Sequence, residues 1–553
     1  MNPASDTELV FLPLGGSGEI GMNLNLYGYG PPDARKWLMV DLGITFGDEL
    51  IPGVDVVMPD IRFIAERRRD LLGIVLTHGH EDHIGAVAHL WPQLRCPLYA
   101  TPFTAALVQA KLDEAGVNAK LTIVELGGKL SLGPFEIELI TLTHSIPEPN
   151  AVAIRTPLGT VLNTGDWKID PEPLVGLTTD EAALRRLGDE GVLAMTCDST
   201  NVFVPGRAGS EADVRRTLTQ LIADHPGKRV AVTAFASNVA RLESVALAAQ
   251  DAGRSTALVG RSMRRIVGAA QSAGYLKGLP PFVQEEEAAL LPRDSVVYLC
   301  TGSQGEPGSA LARMALGEHR GAPLEAGDAV IFSSRVIPGN EKKVGAMQNA
   351  LAARGIEIVT DQDHHHVHVS GHPCRDELAD MYRWVRPRIA IPVHGEIRHM
   401  MEHKRFAESL QVPDTLVAPN GSIVRLAPGQ PAIVDEAPSG RLQLDGRVPI
   451  LEGDGVARAR RGLSFAGFAG VTVIVGGGTK KKAAAQAVLI GEGIPESVLA
   501  AMREAAENAA SRAPSTVMAD DEEFAESVRR AVRREANTTW GKRPMVKVEI
   551  VRL

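Results

Sequence analysis

The chain has 553 residues, 44% of them hydrophobic, 23% charged and 4% aromatic, with a formal net charge of −9. These values exclude a fibrous, disordered or low-complexity chain and leave room for several domains, each with its own core. They also exclude a whole-molecule attraction to nucleic acid, so a polyanionic substrate would need a local basic groove.

Residues 8–14 read as a strand running into the glycine-rich loop 15–21, Gly-Gly-Ser-Gly-Glu-Ile-Gly. No helix with dinucleotide-binding spacing follows, because 22–27 is again strand-like, so the glycines read as a hairpin turn. Residues 37–40 form the next strand, which ends in Asp41. The apolar run 71–76 then leads into Thr-His-Gly-His-Glu-Asp-His-Ile-Gly at 77–85. A short apolar run of this kind reads as a buried strand. His78, His80, Asp82 and His83 therefore fall at its C-terminal end and at the start of the helix through Trp91. Neutral imidazole and carboxylate suit zinc or manganese, and two ligand pairs this close suggest two adjacent ions.

After a βα stretch at 98–100 and 102–114, strands at 121–125 and 135–140 lead on to His144. An apolar strand from 159 runs into Thr-Gly-Asp166, and another from 193 into Cys-Asp198-Ser-Thr-Asn. Asp41, His144, Asp166 and Asp198 thus each follow a strand. A lone residue of this kind is ordinarily part of a turn. Downstream of the histidine cluster, such residues become candidate ligands or carboxylates that orient ligands.

From about 210, helices alternate with β-rich stretches at 214–223, 229–233, 238–251 and 256–259. This pattern reads as a separate α/β unit with a largely parallel sheet. Thr-Ala-Phe-Ala-Ser-Asn at 233–238 closes one strand ahead of a helix, where backbone N–H groups suit phosphate. Ordinary βα-loop chemistry explains it equally well. A strand at 357–360 leads into Asp-Gln-Asp-His-His-His-Val-His-Val-Ser-Gly-His at 361–372. His364, His365 and His366 read as solvated, whereas His368, Ser370 and His372 alternate and would project together from an extended piece. A helix at 376–385 and a strand at 388–393 follow, and His394 repeats the strand-end position of His78 and His144.

Residues 412–450 are β-like and turn-rich, and 453–461 reads as a linker. The remainder forms a ββααβ pattern, with strands at 463–475 and 484–490, helices at 496–511 and 521–536, and a strand at 546–552. Lys480, Lys481 and Lys482 fall in a turn there, open to a solvated or an RNA-contacting reading. The four cysteines are far apart and form no CxxC, which reads as free thiols in a reducing cytosol. The N-terminal residues lack the basic and apolar regions of a signal sequence, and no run approaches about 18 apolar residues. The expectation is a cytoplasmic protein with no membrane partner.

The motifs together resemble the metallo-β-lactamase superfamily, and within it the β-CASP branch. The HxHxDH element, Asp198 after the fourth metal motif, a long α/β insertion and the His368 and His394 segments carry that resemblance. Gly-Ser-Gly-Glu-Ile-Gly, Asp-Ser-Thr-Asn, Phe-Ala-Ser-Asn, His-Val-Ser-Gly-His and the C-terminal domain are similar to the bacterial ribonuclease J family. The resemblance implies an α/β fold, a metallo-β-lactamase αββα sandwich over 1–208 and 368–450 with an inserted β-CASP domain at 209–367. A linker at 451–461 and a small α+β C-terminal domain at 462–553 complete it. Two zinc ions are implied, with manganese or magnesium able to substitute. His78, His80, His144 and Asp166 would hold one, and Asp82, His83, Asp166 and His394 the other, buttressed by Asp41 and Asp198. Ser237, Asn238 and Val239, and the loop His368, Val369, Ser370, Gly371 and His372, would hold phosphates of single-stranded RNA. Some relatives carry a structural calcium, for which Asp48 and Asp445 are the carboxylates on offer. The C-terminal domain implies a homodimer or homotetramer.

The implied reaction is hydrolysis of RNA phosphodiesters, 5′→3′ from a 5′-monophosphate end with endonuclease activity beside it, in RNA processing and decay. Two ions about 3.5–4 Å apart would activate a bridging water and neutralise the phosphoryl oxygens. Asp82 would take a proton from that water, and His368 would serve the leaving oxygen. Two alternatives stand beside this one. A metallo-hydrolase of small esters or lactams would leave the insertion and the His-Val-Ser-Gly-His loop unused. A catalytically silent RNA-binding scaffold would ordinarily lack a ligand, and none is missing.

Overall fold

The computed structural model describes residues 6–363, 366–476 and 485–553. His364, His365 and Lys480, Lys481 and Lys482 lie outside the described residues. The chain divides into two compact units, one of Met1–Thr45 and Met58–Arg441, the other of Phe46–Val57 and Leu442–Leu553.

The first unit is built on two facing sheets. One has eight strands in the order Ala432–Glu436, Ser422–Ala427, Glu8–Gly15, Leu24–Gly30, Lys36–Val40, Leu71–Val75, Leu98–Ala100 and Leu121–Ile123. The other has seven, in the order Lys129–Leu132, Phe135–Thr141, Asn150–Thr156, Gly159–Asn163, Ala194–Asp198, Ile389–Val393 and Asp414–Thr415. Side chains alternate across a strand. Leu9, Phe11, Tyr27, Leu38 and Val75 therefore point from the first sheet onto Phe135, Ile137, Leu139, Val152 and Ile154 of the second. The opposite face of the second sheet packs Ala151, Ala153 and Leu162 on Leu184, Leu187, Leu378, Met381 and Trp384 of the flanking helices. The expected αββα sandwich is the observed one.

The parallel register brings the strand ends together. Val40 pairs with Val75 in one sheet, and Asn163 with Thr196 and Asp198 with Val393 in the other. Asp41, His78, Asp166 and His394 accordingly leave their strands along one edge of the sandwich.

The insertion carries a five-stranded parallel sheet ordered Ser255–Val259, Val296–Cys300, Val230–Thr233, Ala329–Phe332 and Glu357–Val359. Its neighbouring strands Val230–Thr233 and Ala329–Phe332 send their chains in opposite directions. That arrangement opens a crevice at their C-terminal ends.

The glycine-rich loop is more than a hairpin turn. Glu8–Gly15 and Leu24–Gly30 do pair antiparallel, but Ser17–Gly18 also pairs with Gly395–Glu396, directly after His394. A Cβ at Gly16, where φ is +79°, would lie 2.2 Å from Asn23 Oδ1. Glycine is needed there because Asn23 takes the space.

In the second unit, Phe468–Val475 lies between Ala485–Glu492 and Met545–Arg552, antiparallel to the first and parallel to the second. Helices Glu496–Arg512 and Asp521–Trp540 cover one face through Met502, Phe524, Val528 and Val532, so the ββααβ pattern holds. The expected linker is replaced by a helix, Val456–Ala466, which enters through Gly455 at φ 98°. Gly453 and Gly455 mark a helix start rather than a flexible tether, and the following strand begins at Phe468.

Candidate metal centre

Thr77 follows the strand Leu71–Val75, the next residues deliver His78 and His80, and the short helix Glu81–Ile84 delivers Asp82 and His83. His144 comes from beyond Phe135–Thr141, Asp166 from beyond Gly159–Asn163, and His394 from the end of Ile389–Val393. These side chains form two groups whose ligand atoms lie within 4.8 Å of one another: His78, His80 and His144, and Asp82, His83, Asp166 and His394. Asp166 also falls in a third group with His144 and His372, so its carboxylate stands between the first two.

In the first group His80 Nδ1 lies 3.0 Å from His78 Nε2 and 3.1 Å from His144 Nε2. In the second, Asp166 Oδ2 lies 3.1 Å from His83 Nε2 and 3.4 Å from His394 Nε2, and Asp82 Oδ2 lies 3.6 and 3.7 Å from the same nitrogens. Ligands about 2.0–2.1 Å from a tetrahedral zinc stand roughly 3.3 Å apart. Burial, reinforced by the neighbouring imidazoles, lowers the pKa of His78 and His144 well below 6.5. Burial also lowers His80, to about 4. Three neutral imidazoles with ring nitrogens this close form a donor set that fits a cation. For His83 burial acts in the same direction, but Asp166, Asp82 and Asp41 outweigh it and hold the pKa well above 6.5.

Each of four imidazoles has its outer nitrogen fixed by an oxygen, which turns the other nitrogen inward. His83 Nδ1 lies 2.7 Å from Asp41 Oδ2, His78 Nδ1 3.0 Å from Thr77 Oγ1, His394 Nδ1 3.0 Å from Asn23 Oδ1, and His144 Nδ1 2.5 Å from Gly371 O. Asp41 also accepts from Thr77 N–H at 2.8 Å and Thr77 Oγ1 at 2.9 Å. Asp41 and His394 sit at φ 64° and 50°, conformations that cost energy in residues other than glycine and recur at functional sites. The sequence reading missed Asn23, which also approaches His83 Nε2 at 3.1 Å. Its signal was an asparagine between the glycine-rich loop and the strand Leu24–Gly30.

Asp198 lies beside the cluster and holds His372 rather than one of the seven expected ligands. Its Oδ2 is 2.8 Å from His372 Nδ1, and its Oδ1 accepts from Thr200 N–H and Oγ1 at 2.8 and 2.7 Å. Burial opposes a charge on His372, but Asp198 and Asp166 raise its pKa to about 9. His372, not His368, is therefore the loop imidazole at the cluster. The chain turns at Ser370, whose Oγ accepts from His372 N–H and Asn201 Nδ2, so the expected extended projection fails. His368 lies instead among Arg241, Lys168 and Arg335. Burial and these cations push its pKa well below 6.5.

Of Ser237, Asn238 and Val239, only Ser237 keeps a partly exposed side chain. Asn238 caps the helix Val239–Asp251, accepting from Arg241 N–H at 2.9 Å and donating to Glu211 Oε1 at 3.0 Å. Val239 is fully buried. In the second unit, Asp48 accepts from Leu50 N–H at 2.7 Å and Asp445 pairs with Arg460 at 2.6 Å. Neither carboxylate belongs to a convergent ligand group among the described residues.

The chain is 47% identical to Ribonuclease J of Sinorhizobium meliloti over 559 residues, covering 100% of this chain and 98% of that one. It belongs to the ribonuclease J family. The family's domains follow in order. Residues 32–230 match the metallo-beta-lactamase superfamily, 227–351 the ribonuclease J beta-CASP domain, 361–413 the Zn-dependent metallo-hydrolase RNA specificity domain and 455–553 the ribonuclease J C-terminal domain. Ribonuclease J of Mycolicibacterium smegmatis is 39% identical over 98% of this chain and 96% of its own length. Among solved structures, a protein of unknown function from Enterococcus faecalis V583 shares the fold at TM-score 0.52 and 14% identity, covering 76% of this chain and 100% of that one.

Proposed function

We propose that this ribonuclease J family member is a two-metal ribonuclease acting on single-stranded RNA, 5′→3′ from a 5′-monophosphate end, with internal cleavage beside it. The observation that carries the reading is the pair of ligand groups with Asp166 between them and the His372–Asp198 pair alongside. His78, His80, His144 and Asp166 would hold one ion, and Asp82, His83, Asp166 and His394 the other. Zinc, or manganese or magnesium in its place, would supply Lewis acidity toward the phosphoryl oxygens and toward water when bound there.

The chain's own residues do the rest. Asp82 is the more open of the two carboxylates in the second group, with 30% of its side chain exposed against 3% for Asp166, and it takes the proton released by water. His372, oriented by Asp198 at 2.8 Å beside the cluster, serves the leaving oxygen as proton donor. Ser237 and the loop 368–372 bind RNA phosphates, a reading that the match of 361–413 to an RNA specificity domain supports for the loop.

Association through the second unit is part of the same reading. Val488 and Ile490, on the sheet face away from the helices, are 55% and 70% exposed. No helix among the described residues is long and apolar enough to cross a membrane, in keeping with action on cytoplasmic RNA.

The test uses 3′-labelled single-stranded RNA with a 5′-monophosphate or a 5′-hydroxyl, zinc or manganese, and an Asp82→Ala/His83→Ala control. Shortening from the 5′ end, faster on the monophosphate and absent in the control, is expected. Internal cuts indifferent to the 5′ group would make the protein chiefly an endonuclease, and no cleavage by metal-loaded protein would favour a scaffold.

A further inference from the structure

The inserted domain buries an ion pair that the reaction, as described, does not use. Arg241 is 0% exposed and Glu211 2%. The Glu211 carboxylate accepts from Arg241 Nε at 3.2 Å, Arg241 Nη2 at 3.1 Å and Asn238 Nδ2 at 3.0 Å. Arg241 Nη1 donates to the Ser333 carbonyl and hydroxyl oxygens, each at 2.6 Å, and Ser333 Oγ donates to Val367 O at 2.8 Å. Glu211 N–H donates to Asp170 Oδ2 at 2.9 Å. Asp170 pairs with Lys168 at 2.8 Å and donates its own N–H to Thr143 Oγ1 at 3.0 Å.

One pair thus ties three functional segments. The first is the Ser237 turn, through the Asn238 cap. The second is the stretch that carries His144 and Asp166, through Asp170 and Thr143. The third is the His-Val-Ser-Gly-His loop, which is fixed at both ends. Val367 is held by Ser333, while Gly371 O and His372 are held by His144 Nδ1 at 2.5 Å and Asp198 Oδ2 at 2.8 Å. Arg241 also joins the segments that follow two neighbouring strands, since it belongs to the helix after Val230–Thr233 and reaches Ser333 after Ala329–Phe332. A buried pair is weak evidence for stability, because well-packed apolar residues often serve equally well. A fully satisfied buried network does select one arrangement of the segments it joins.

We infer that Arg241 and Glu211 are positioning residues. They anchor the Val367 end of the loop to the inserted domain, so that Gly371 and His372 reach the metal cluster in one geometry, set jointly with the Ser237 turn. The inference rests on the ribonuclease reading only for its kinetic consequence. Small displacements of reacting groups cost turnover steeply, up to about a hundredfold per ångström.

The experiment compares the full-length protein with Arg241→Lys and with Ser333→Ala, which removes a single hydroxyl and leaves the ion pair intact. Hydrogen exchange of residues 366–372, metal content, and kcat and KM on 5′-monophosphorylated RNA are measured for each. Expected are faster exchange of the loop, a kcat lower by about tenfold, and KM and metal content within twofold of wild type. Unchanged loop exchange and kcat in both variants, even with a lower melting temperature for Arg241→Lys, would overturn the inference and leave a packing role. A loop that loosens in a protein whose wild type cleaves no RNA would support the anchoring and overturn the ribonuclease reading instead.

Discussion

His372 Nδ1 lies 2.8 Å from Asp198 Oδ2, and the His372 ring stands 5.0 Å from that of His144 and 5.5 Å from that of His394. A carboxylate-held imidazole therefore flanks the ligand cluster, and His368, four residues earlier, does not. Proton delivery by a positioned group is worth about 10²–10⁴ in rate. His372→Ala is expected to lower kcat within that range, Asp198→Asn by less, and His368→Ala least, with metal content unchanged in all three. Steady-state cleavage beside elemental analysis checks the ranking, and a His368→Ala variant as slow as His372→Ala would contradict it.

Asn23 holds His394 Nδ1 at 3.0 Å and donates to Asp82 O at 3.1 Å. Loss of such an orienting partner typically costs about 10–100-fold in metal affinity. Asn23→Ala should show that loss in competition against a chromogenic chelator, with its far-ultraviolet circular dichroism unchanged.

Ser237 keeps a partly exposed side chain in the turn that Asn238 anchors. Ser237→Ala should weaken discrimination between 5′-monophosphate and 5′-hydroxyl RNA and leave metal content intact. Unchanged discrimination removes Ser237 from the phosphate pocket.

The candidate ligands His78, His80, Asp82 and His83 were legible because they fall within six positions, and His144, Asp166 and His394 because each follows an apolar strand. The roles inside the His-Val-Ser-Gly-His loop were not legible from alternation alone. A turn at Ser370, stabilised by Asn201 far away in sequence, sends His372 to Asp198 and leaves His368 behind. The side chain of Asn238, expected to help hold a phosphate, caps the helix Val239–Asp251, as an asparagine directly before a helix does by ordinary preference. Its second bond, to Glu211, depends on tertiary packing that no local pattern records. The helix Val456–Ala466 escaped notice because Gly453 and Gly455, directly before it, suggested a tether.

Burial alone would raise the Asp170 carboxyl, but Lys168, with hydrogen bonds from Ser210 and Glu211 N–H, holds it below its usual 3.8. A carboxylate with a depressed folded-state pKa contributes stability that is present above its unfolded value and lost as pH falls through its folded value. Asp170→Asn, which breaks a buried pair, should be less stable than wild type at pH 7 by about 3 kcal/mol. That gap should hold down to about pH 5 and close below about pH 3.8. Urea unfolding of the chelated proteins from pH 7 to 3 measures it, and a gap independent of pH would refute the assignment.

The central claim is that two ions, held by the two ligand groups that Asp166 connects, cleave RNA. Titration of zinc into chelated protein, with bound metal and single-turnover RNA cleavage followed together, tests it most directly. The account predicts that two equivalents bind and that cleavage returns only as the second is taken up, with neither result in an Asp166→Ala variant. Binding of one equivalent, or full cleavage after the first, would contradict it.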